Sequence, residues 1–359
     1  MSIEQLVKTL REQYRSYGYA PYGMSKFEEY ELYLQNKDFL ISERVLTFTD
    51  TDGKLMALKP DVTLSIIKNT EENNAGVQKV YYLENVYRPG KNDQGFREIM
   101  QVGLECMGNV DDYCIYEVLL LAVKSLRTIS ENCVLDISHM GLVNKALNET
   151  GLTGSARQQT VEAISNKNTH ELQNICNELG VSGEKLVALS RLSGNIETVM
   201  PQLQKLFADA PELLQLQQLL TALQMSGYDC INVDCSVVND MNYYNGIVFR
   251  GFVEGVPEGV LSGGQYDALM QKMKRSGKAI GFAIYPDLLE RMLLQQEEVA
   301  DAVIYYGTET PIYAIAAAVA KLTNEGLRVL AQPEDSPVKC KRNYRINENE
   351  EVIPFENYA

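Results

Sequence analysis

Apolar and polar residues alternate along the first 130 residues in patterns that predict both helices and strands. From residue 3 to residue 17, apolar side chains recur every three or four positions, as on one face of a helix, and Gly18 ends the pattern. Further along, Asp52-Gly53 lies between two arms of alternating apolar residues, which is typical of a β-hairpin. The same reasoning predicts a short helix at 63–69, strands at 78–88 and 96–107, and a long helix at 112–130.

The pattern changes between about residues 140 and 225, where helical periodicity dominates and strand-like segments vanish. We interpret this stretch as a helical insertion. Strand-like segments then return at 230–238 and 245–255, and a strand running into a helix is predicted at 277–296. Residues 295–302 are typical of a linker, residues 301–333 predict a small strand–helix–strand unit, and the pattern fades over the last twenty residues.

Charge and length limit the classes of protein to which the chain can belong. The 359 residues include 33 Lys and Arg against 48 Asp and Glu, which gives a formal net charge of −15. This length fits two or three domains, and the acidic balance argues against nonspecific nucleic-acid binding as the main role. Neither a long apolar run nor a signal-peptide pattern is present, so we expect a soluble, cytoplasmic protein without a membrane partner.

Cysteine and histidine usage gives little indication of a metal or a cofactor. The seven cysteines form no CxxC motif, and such a scattered, odd set is typical of buried free thiols in a reducing compartment. The two histidines, His139 and His170, are too few for a His-rich metal site. The paired glycines of SGGQYDAL (262–269) do not match the dinucleotide fingerprint GxGxxG. We therefore expect no metal and no cofactor.

The strand predicted at 96–107 has one polar face that carries Gln101, Gly103 and Glu105. Such a face is either exposed to solvent or forms the floor of a polar pocket, in which Gly103 would leave room for a ligand. The alternation itself fits both interpretations, and the solvated face is the more common of the two.

Three other segments contain residues that could do chemistry, but each also has an ordinary structural explanation. Asp61 precedes a predicted helix and could simply cap it. The glycines of SGGQYDAL could form a tight turn. Tyr243 and Tyr244 could be core aromatic residues of a strand.

Taken in order, five segments resemble the catalytic domain of the histidyl-tRNA synthetase family in sequence and approximate spacing. They are LKPDVT (58–63), VYRPGKNDQGFREIMQVGLECMG (86–108), NDMNYYNGIVF (239–249), SGGQYDAL (262–269) and GFAI (281–284). The resemblance covers roughly residues 1–295, including the helical insertion. It implies an α+β class II aminoacyl-tRNA synthetase-like fold, normally dimeric, with an antiparallel sheet flanked by helices. Residues 301–359 would then be a truncated anticodon-binding-like α/β unit with an irregular tail.

The resemblance also implies a histidine pocket. In that family an acidic residue of the first segment and a Gln and a Glu of the second-motif strand bind histidine, and the second-motif arginine contacts ATP and the substrate carboxylate. Tyrosines of the two later segments complete the pocket. The positions that match in this sequence are Asp61, Arg88, Gln101, Glu105, Tyr243, Tyr244 and Tyr266.

Several positions depart from the synthetase pattern, and they concern the handling of ATP. The catalytic arginine of the family aligns with Asn239, and the acidic residue that follows Arg88 is replaced in the Pro89-Gly90 stretch. The Glu-Arg pair that ends the third motif aligns with Asp287-Leu288, unless an insertion of three residues restores Glu290-Arg291. Because Asn239 replaces the catalytic arginine, a positive charge on the activation transition state would be missing.

A synthetase fold that keeps its amino-acid contacts and loses its phosphate contacts resembles the regulatory subunits of ATP phosphoribosyltransferase. That synthetase-paralogue family binds free histidine for feedback control of the first step of histidine biosynthesis. The resemblance implies a non-catalytic homodimer within a hetero-oligomer, with the short-form catalytic subunit as its partner and without tRNA. The alternatives are a histidyl-tRNA synthetase and a paralogue that activates an amino acid without tRNA.

Overall fold

The computed structural model describes residues 2–40, 44–70, 76–90, 95–238, 243–290, 292, 300–333, 340, 342–347, 349 and 351–355. The chain divides into two compact units. The larger is Ile3–Met292, and the smaller is Leu293–Ala359 together with Met1–Ser2. All seven cysteines have free thiols, and six of them are buried. Within the described ranges, no helix is long and apolar enough to cross a membrane.

A nine-stranded sheet organises the larger unit. Its strands, in chain order, are β1 (Ala20–Pro21), β5 (Val77–Pro89), β6 (Phe96–Gly108), β7 (Cys133–His139), β8 (Ser193–Gly194), β9 (Ile231–Asp234), β10 (Ile247–Val253), β11 (Leu261–Gln265) and β12 (Lys278–Ile284). They lie side by side in the order β1-β5-β6-β12-β11-β10-β7-β9-β8. The pairs are antiparallel except β1–β5 and β7–β9. The antiparallel sheet predicted from the resemblance is therefore confirmed.

Two amphipathic helices flank this sheet, as their periodicity predicts. Helix α1 (Ile3–Ser16) buries Leu6, Val7, Leu10 and Tyr14 along one face. The longer α4 (Asp112–Ile129) begins at Asp111, whose carboxylate accepts a hydrogen bond from the backbone N–H of Cys114 at 2.9 Å. The Tyr14 hydroxyl bonds Ser125 of α4 at 3.1 Å, so the two helices are joined in the core.

A small three-stranded sheet precedes the main strands and carries the predicted hairpin. Strands β2 (Phe27–Glu29), β3 (Thr47–Thr49) and β4 (Leu55–Leu58) lie in the order β2-β4-β3, all antiparallel. A short helix, α2 (Tyr30–Gln35), follows β2 directly. The turn between β3 and β4 contains Gly53 with φ +80°, the left-handed conformation that glycine adopts without strain. From β4 the chain passes through a turn into α3 (Val62–Asn69).

Between β7 and β9 the chain forms six helices, where the helical insertion was predicted. They are α5 (Met140–Thr150), α6 (Gly154–Ser165), α7 (Thr169–Glu178), α8 (Glu184–Ser190), α9 (Ile196–Phe207) and α10 (Pro211–Met225). Pro211 occupies the first turn of α10, where its missing N–H costs nothing. The two-residue strand β8, which the periodicity did not reveal, attaches this insertion to β9.

The smaller unit contains one more strand pair than its sequence suggests. The predicted strand–helix–strand is present as β13 (Ala302–Tyr306), α12 (Ile312–Asn324) and β14 (Val329–Pro333). The last twenty residues, which we expected to be irregular, contain β15 (Arg342–Ile346) and β16 (Val352–Pro354). Because β15 pairs with β13, these strands complete a four-stranded sheet, β14-β13-β15-β16.

Two local predictions were wrong in the larger unit. The strand expected at 230–238 is limited to β9, and a turn follows Asp234. The SGGQ segment forms β11 instead of a tight turn. Its glycines are needed because β11 lies between two strands: a Cβ on Gly263 would meet Phe282, and one on Gly264 would meet Tyr244. Helix α11 (Asp267–Lys272) follows immediately.

Candidate functional site

A cavity of about 260 Å³ lies where the start of α3 faces strands β5, β6, β11 and β12. All seven residues that the sequence suggested for a histidine pocket line it, so the structure brings them together. The full lining is Asp61, Thr63, Tyr82, Arg88, Gln101, Glu105, Tyr243, Tyr244, Ser262, Tyr266, Gly281, Phe282, Ala283 and Tyr285. Gln101 and Glu105 are 3% and 2% exposed, so this part of the β6 polar face belongs to a pocket and not to a solvated surface.

Glu105 is enclosed within the cavity, with 2% of its surface exposed. Each of its carboxylate oxygens accepts a hydrogen bond from a neutral hydroxyl, one from Thr63 at 2.8 Å and the other from Tyr266 at 2.6 Å. Gly281 lies directly opposite on β12, and a Cβ there would overlap the Glu105 carboxylate. The glycine of the GFAI segment therefore leaves the space that the glutamate side chain fills.

Asp61 caps a helix, as its sequence context suggested, and also faces the cationic side chain of the cavity. One carboxylate oxygen caps α3 by accepting the backbone N–H of Leu64 at 2.9 Å. The other oxygen lies 3.8 Å from a terminal nitrogen of Arg88 on β5. The guanidinium is fixed in turn by its Nε, which donates to the carbonyl of Pro60 at 2.8 Å. The Asp61 and Arg88 side chains are each 14% exposed, so a polar ligand can reach both.

The electrostatics of the cavity favour a ligand with a cationic group. Burial raises the pKa of Glu105 to about 8, the hydrogen bonds from Tyr266 and Thr63 oppose this rise, and the negative charge of Asp61 adds to it. Burial likewise raises the pKa of Asp61, and Arg88 opposes that rise. The described lining of the cavity thus holds two carboxyl groups and one guanidinium, which faces Asp61, and a bound ammonium or imidazolium would supply further positive charge.

Tyrosines form the remaining wall of the cavity. Tyr243 contacts both Tyr244 and Tyr266, with ring centroids 4.8 and 5.8 Å apart. Burial raises the pKa of all three hydroxyls well above the usual value, so they stay neutral and act as hydrogen-bonding groups. Tyr243 and Tyr244 lie before β10 and not within a strand, but Tyr243 belongs to a buried hydrophobic cluster and Tyr244 packs against it, as core aromatic residues would.

The sequence did not indicate every residue of the cavity. Thr63 belongs to the LKPDVT segment and follows Asp61 by two residues. Its position near Asp61 at the start of a predicted helix could have indicated that it lies in the same pocket. Tyr82 gave no signal at all. Its hydroxyl fills the space beside Gly103, where a Cβ would overlap it, so that glycine makes room for Tyr82 and not for a ligand.

The sequence model of the histidyl-tRNA synthetase family matches residues 1–289 of this chain. The chain belongs to the histidyl-tRNA synthetase family. Within that family its relatives carry a more specific description. A protein of Oceanobacillus iheyensis described as "ATP phosphoribosyltransferase regulatory subunit" is 26% identical over 352 residues, which cover 94% of this chain and 86% of the relative.

Solved structures show the same fold. A Bacillus halodurans protein described as "an ATP phosphoribosyltransferase regulatory subunit/histidyl-tRNA synthetase" matches with a TM-score of 0.74 and 23% identity, covering 94% of this chain and 89% of that one. A chain of the "ATP phosphoribosyl transferase (HisG:HisZ) complex from Thermotoga maritima" matches with a TM-score of 0.65 and 18% identity, covering 79% and 97%. The class II synthetase-like fold is therefore established for this member of the histidyl-tRNA synthetase family.

The positions that depart from the family pattern are only partly within the described residues. Asp287 lies in a 3-10 helix (Pro286–Leu289) directly after β12, and its carboxylate accepts the backbone N–H of Met100 at 2.8 Å. Gly90, after the end of β5, donates to the carbonyl of Gly95 at 2.7 Å. Asn239 and Arg291 lie outside the described residues. Among the residues that are described, no three His, Cys, Asp or Glu side chains group as metal ligands would.

Proposed function

We propose that the protein is a non-catalytic regulatory subunit of ATP phosphoribosyltransferase that binds free histidine. The descriptions of its relatives support the regulatory role, because proteins 26% and 29% identical over most of the chain carry that description. The Thermotoga maritima complex, in which a chain of the same fold is part of an ATP phosphoribosyltransferase, supports assembly with a catalytic subunit.

One observation carries the histidine assignment, namely the enclosed Glu105, which has two hydroxyl donors and no cationic partner among the described residues. Histidine has a ring N–H that can donate to this carboxylate, an ammonium group for Asp61 and Gln101, and a carboxylate for Arg88. Each charged group of the zwitterion would thus meet its complement. A ligand with an apolar side chain would leave Glu105 buried without a polar partner from the ligand.

The charges of the cavity support binding in preference to activation. Adenylation of an amino acid requires cationic groups around the phosphates in the transition state. Of the described side chains that line the cavity, Arg88 is the cationic one, and it already bonds Pro60 and faces Asp61. Without an insertion, the uncharged Leu288 stands where the third motif of the synthetases has its arginine. We therefore propose that histidine is a feedback signal here and not a substrate.

The direct test is calorimetric titration of the full chain with histidine. The wild type should bind, and Glu105→Ala should lose about 2–5 kcal/mol of binding free energy, because the bound ring would lose a buried charged partner. Glu98→Ala is the matched control, since Glu98 lies on the opposite, exposed face of the same strand. Equal heats for the wild type and Glu105→Ala would contradict the pocket assignment.

The regulatory role is tested with a short-form catalytic subunit of ATP phosphoribosyltransferase. Mixing the two chains should give a complex on a sizing column, and the complex should be more active than the catalytic subunit alone. Histidine should then lower this activity in the wild-type complex but not in one that contains Glu105→Ala. Two separate elution peaks and unchanged activity would contradict the proposed partner.

A further inference from the structure

Lys59 is a buried lysine beside the histidine cavity, but it does not line it. Its side chain is 0% exposed, and its Nζ donates to Glu84 on β5 at 2.8 Å. Burial lowers the pKa of this ammonium group, and the hydrogen bond and charge of Glu84 oppose the decrease. Because burying an ion pair has a high desolvation cost, such a pair needs a reason beyond stability.

The backbone contacts of Lys59 indicate what the pair holds in place. Lys59 and Pro60 form the turn that leads from β4 to Asp61. The Lys59 carbonyl accepts the backbone N–H of Tyr87 at 2.8 Å, and the Pro60 carbonyl accepts the Nε of Arg88 at 2.8 Å. Together with the Lys59–Glu84 pair, these bonds attach the turn to three positions of one strand, β5.

The other side of the turn is attached to the segment between β1 and β2. The backbone N–H of Lys59 donates to the carbonyl of Lys26 at 3.0 Å. Glu84 uses its second carboxylate oxygen to accept the backbone N–H of Met24 at 3.2 Å. The Lys59–Glu84 pair is thus the point at which the turn, β5 and this segment meet.

We propose that Lys59 is a positioning residue for the ligand: through Glu84 it holds the 59–61 turn against β5 and so sets the separation of Asp61 and Arg88. This inference rests on the proposed function, because it takes histidine as the ligand whose ammonium and carboxylate groups span those two side chains. At present the Asp61 carboxylate lies 3.8 Å from the Arg88 guanidinium. A turn that moves along β5 would bring them into direct contact or separate them, and the ligand would lose one of its two charged partners.

A purely structural ion pair would stabilise the fold without affecting the ligand, and the chain offers a control of that kind. Lys79, on the same strand β5, donates to both carboxylate oxygens of Glu117 at 2.7 and 2.9 Å. This pair is also largely buried, with the lysine and glutamate side chains 23% and 4% exposed. Neither residue lines the cavity.

The experiment is calorimetric titration with histidine of the full-length wild type, Lys59→Met and Lys79→Met, together with urea unfolding of each. Methionine keeps most of the apolar stem of lysine and removes its charge. We expect both variants to be less stable than the wild type. Lys59→Met should bind histidine roughly tenfold or more weakly, as for a lost interaction with a charged group, whereas the Kd of Lys79→Met should change less than about twofold.

A double-mutant cycle separates positioning from a general loss of packing. If Lys59 acts through Asp61, Lys59→Met should weaken binding much less in an Asp61→Asn background than in the wild type. Independent contributions would instead give the same fold-change in both backgrounds, and that result would overturn the inference.

The outcomes of the titrations distinguish this inference from the proposed function. If the wild type gives no heat with histidine, the proposed function itself is wrong. If the wild type binds and Lys59→Met binds equally well, or no worse than Lys79→Met, the positioning role is wrong. Should Lys59→Met fail to fold, Glu84→Gln replaces it, since the amide keeps the shape of the partner. An unchanged Kd in Glu84→Gln would also refute the role.

Discussion

The carboxyl group of Glu105 should make the ligand-free protein less stable as the pH rises. Its pKa in the folded chain is about 8, against an ordinary value of 4.5. Between these two values the folded state binds the proton that the unfolded state has released, so the free energy of unfolding falls with increasing pH. This direction is the opposite of that for a carboxylate in a salt bridge, whose pKa is lowered and whose contribution is lost in acid.

The magnitude follows from the two pKa values. Each tenfold difference in proton affinity is worth about 1.4 kcal/mol, so the rise from 4.5 to about 8 corresponds to roughly 4–5 kcal/mol. Glu105 is 2% exposed, so solvent screening does not reduce this figure greatly. Glu105→Gln keeps the shape of the side chain but cannot ionise. The free energy of unfolding of this variant should therefore not show the decrease of roughly 4–5 kcal/mol with rising pH.

The assay is urea unfolding of the ligand-free wild type and Glu105→Gln between about pH 5 and about pH 9. The difference between the two free energies should grow by several kcal/mol across this range in favour of the variant. Glu98→Gln, which alters an exposed side chain of the same strand, should follow the wild type. Parallel curves for the wild type and Glu105→Gln would refute the argument that burial dominates the ionisation of this group.

Two of the three further predictions concern Gly281 and Asp287, and the third concerns amino-acid activation by the wild type. Gly281→Ala should displace the Glu105 carboxylate, lower the free energy of unfolding by about 1–3 kcal/mol and weaken histidine binding; an unchanged Kd would contradict the close approach. Asp287→Ala should speed hydrogen exchange at the Met100 amide at a cost below about 1.5 kcal/mol, and an unaltered exchange rate would contradict that hydrogen bond. Histidine-dependent pyrophosphate exchange should be undetectable in the wild type, and robust exchange would favour a synthetase instead.

The elements that the sequence predicted well are long and regularly patterned. Helix α1 has a single apolar face, and β5 and β6 are long strands, so periodicity alone located them closely. The glycines of SGGQ led to a wrong prediction because glycine is used in two ways. It permits unusual turns, and it also permits close approach of neighbouring strands, which is its role in β11.

The candidate site could not be derived from alternation, because a polar strand face has the same pattern whether water or protein covers it. For Glu105 the deciding contacts come from Thr63 and Tyr266, which are 42 and 161 residues away in the chain. No local signal reports such distances. The order of the five family segments supplied that information instead, since it implied which parts of the chain meet.

If the proposed function is right, the arrangement of charges around the cavity explains how an amino-acid pocket can persist without the chemistry of activation. Holding histidine needs carboxyl groups for its ammonium group and ring N–H, together with a single cation for its carboxylate, and Asp61, Glu105 and Arg88 meet that need. Transferring an adenylyl group needs further cations for the phosphates. Without an insertion, the arginine position of the third motif holds the uncharged Leu288, and Asp287 before it accepts a hydrogen bond from the backbone of β6. Since the two sets of charges are supplied by different residues, the second set can be lost while the first is kept. Under the proposed function, what remains is a site that would bind histidine and leave it unchanged, which is what a feedback sensor requires.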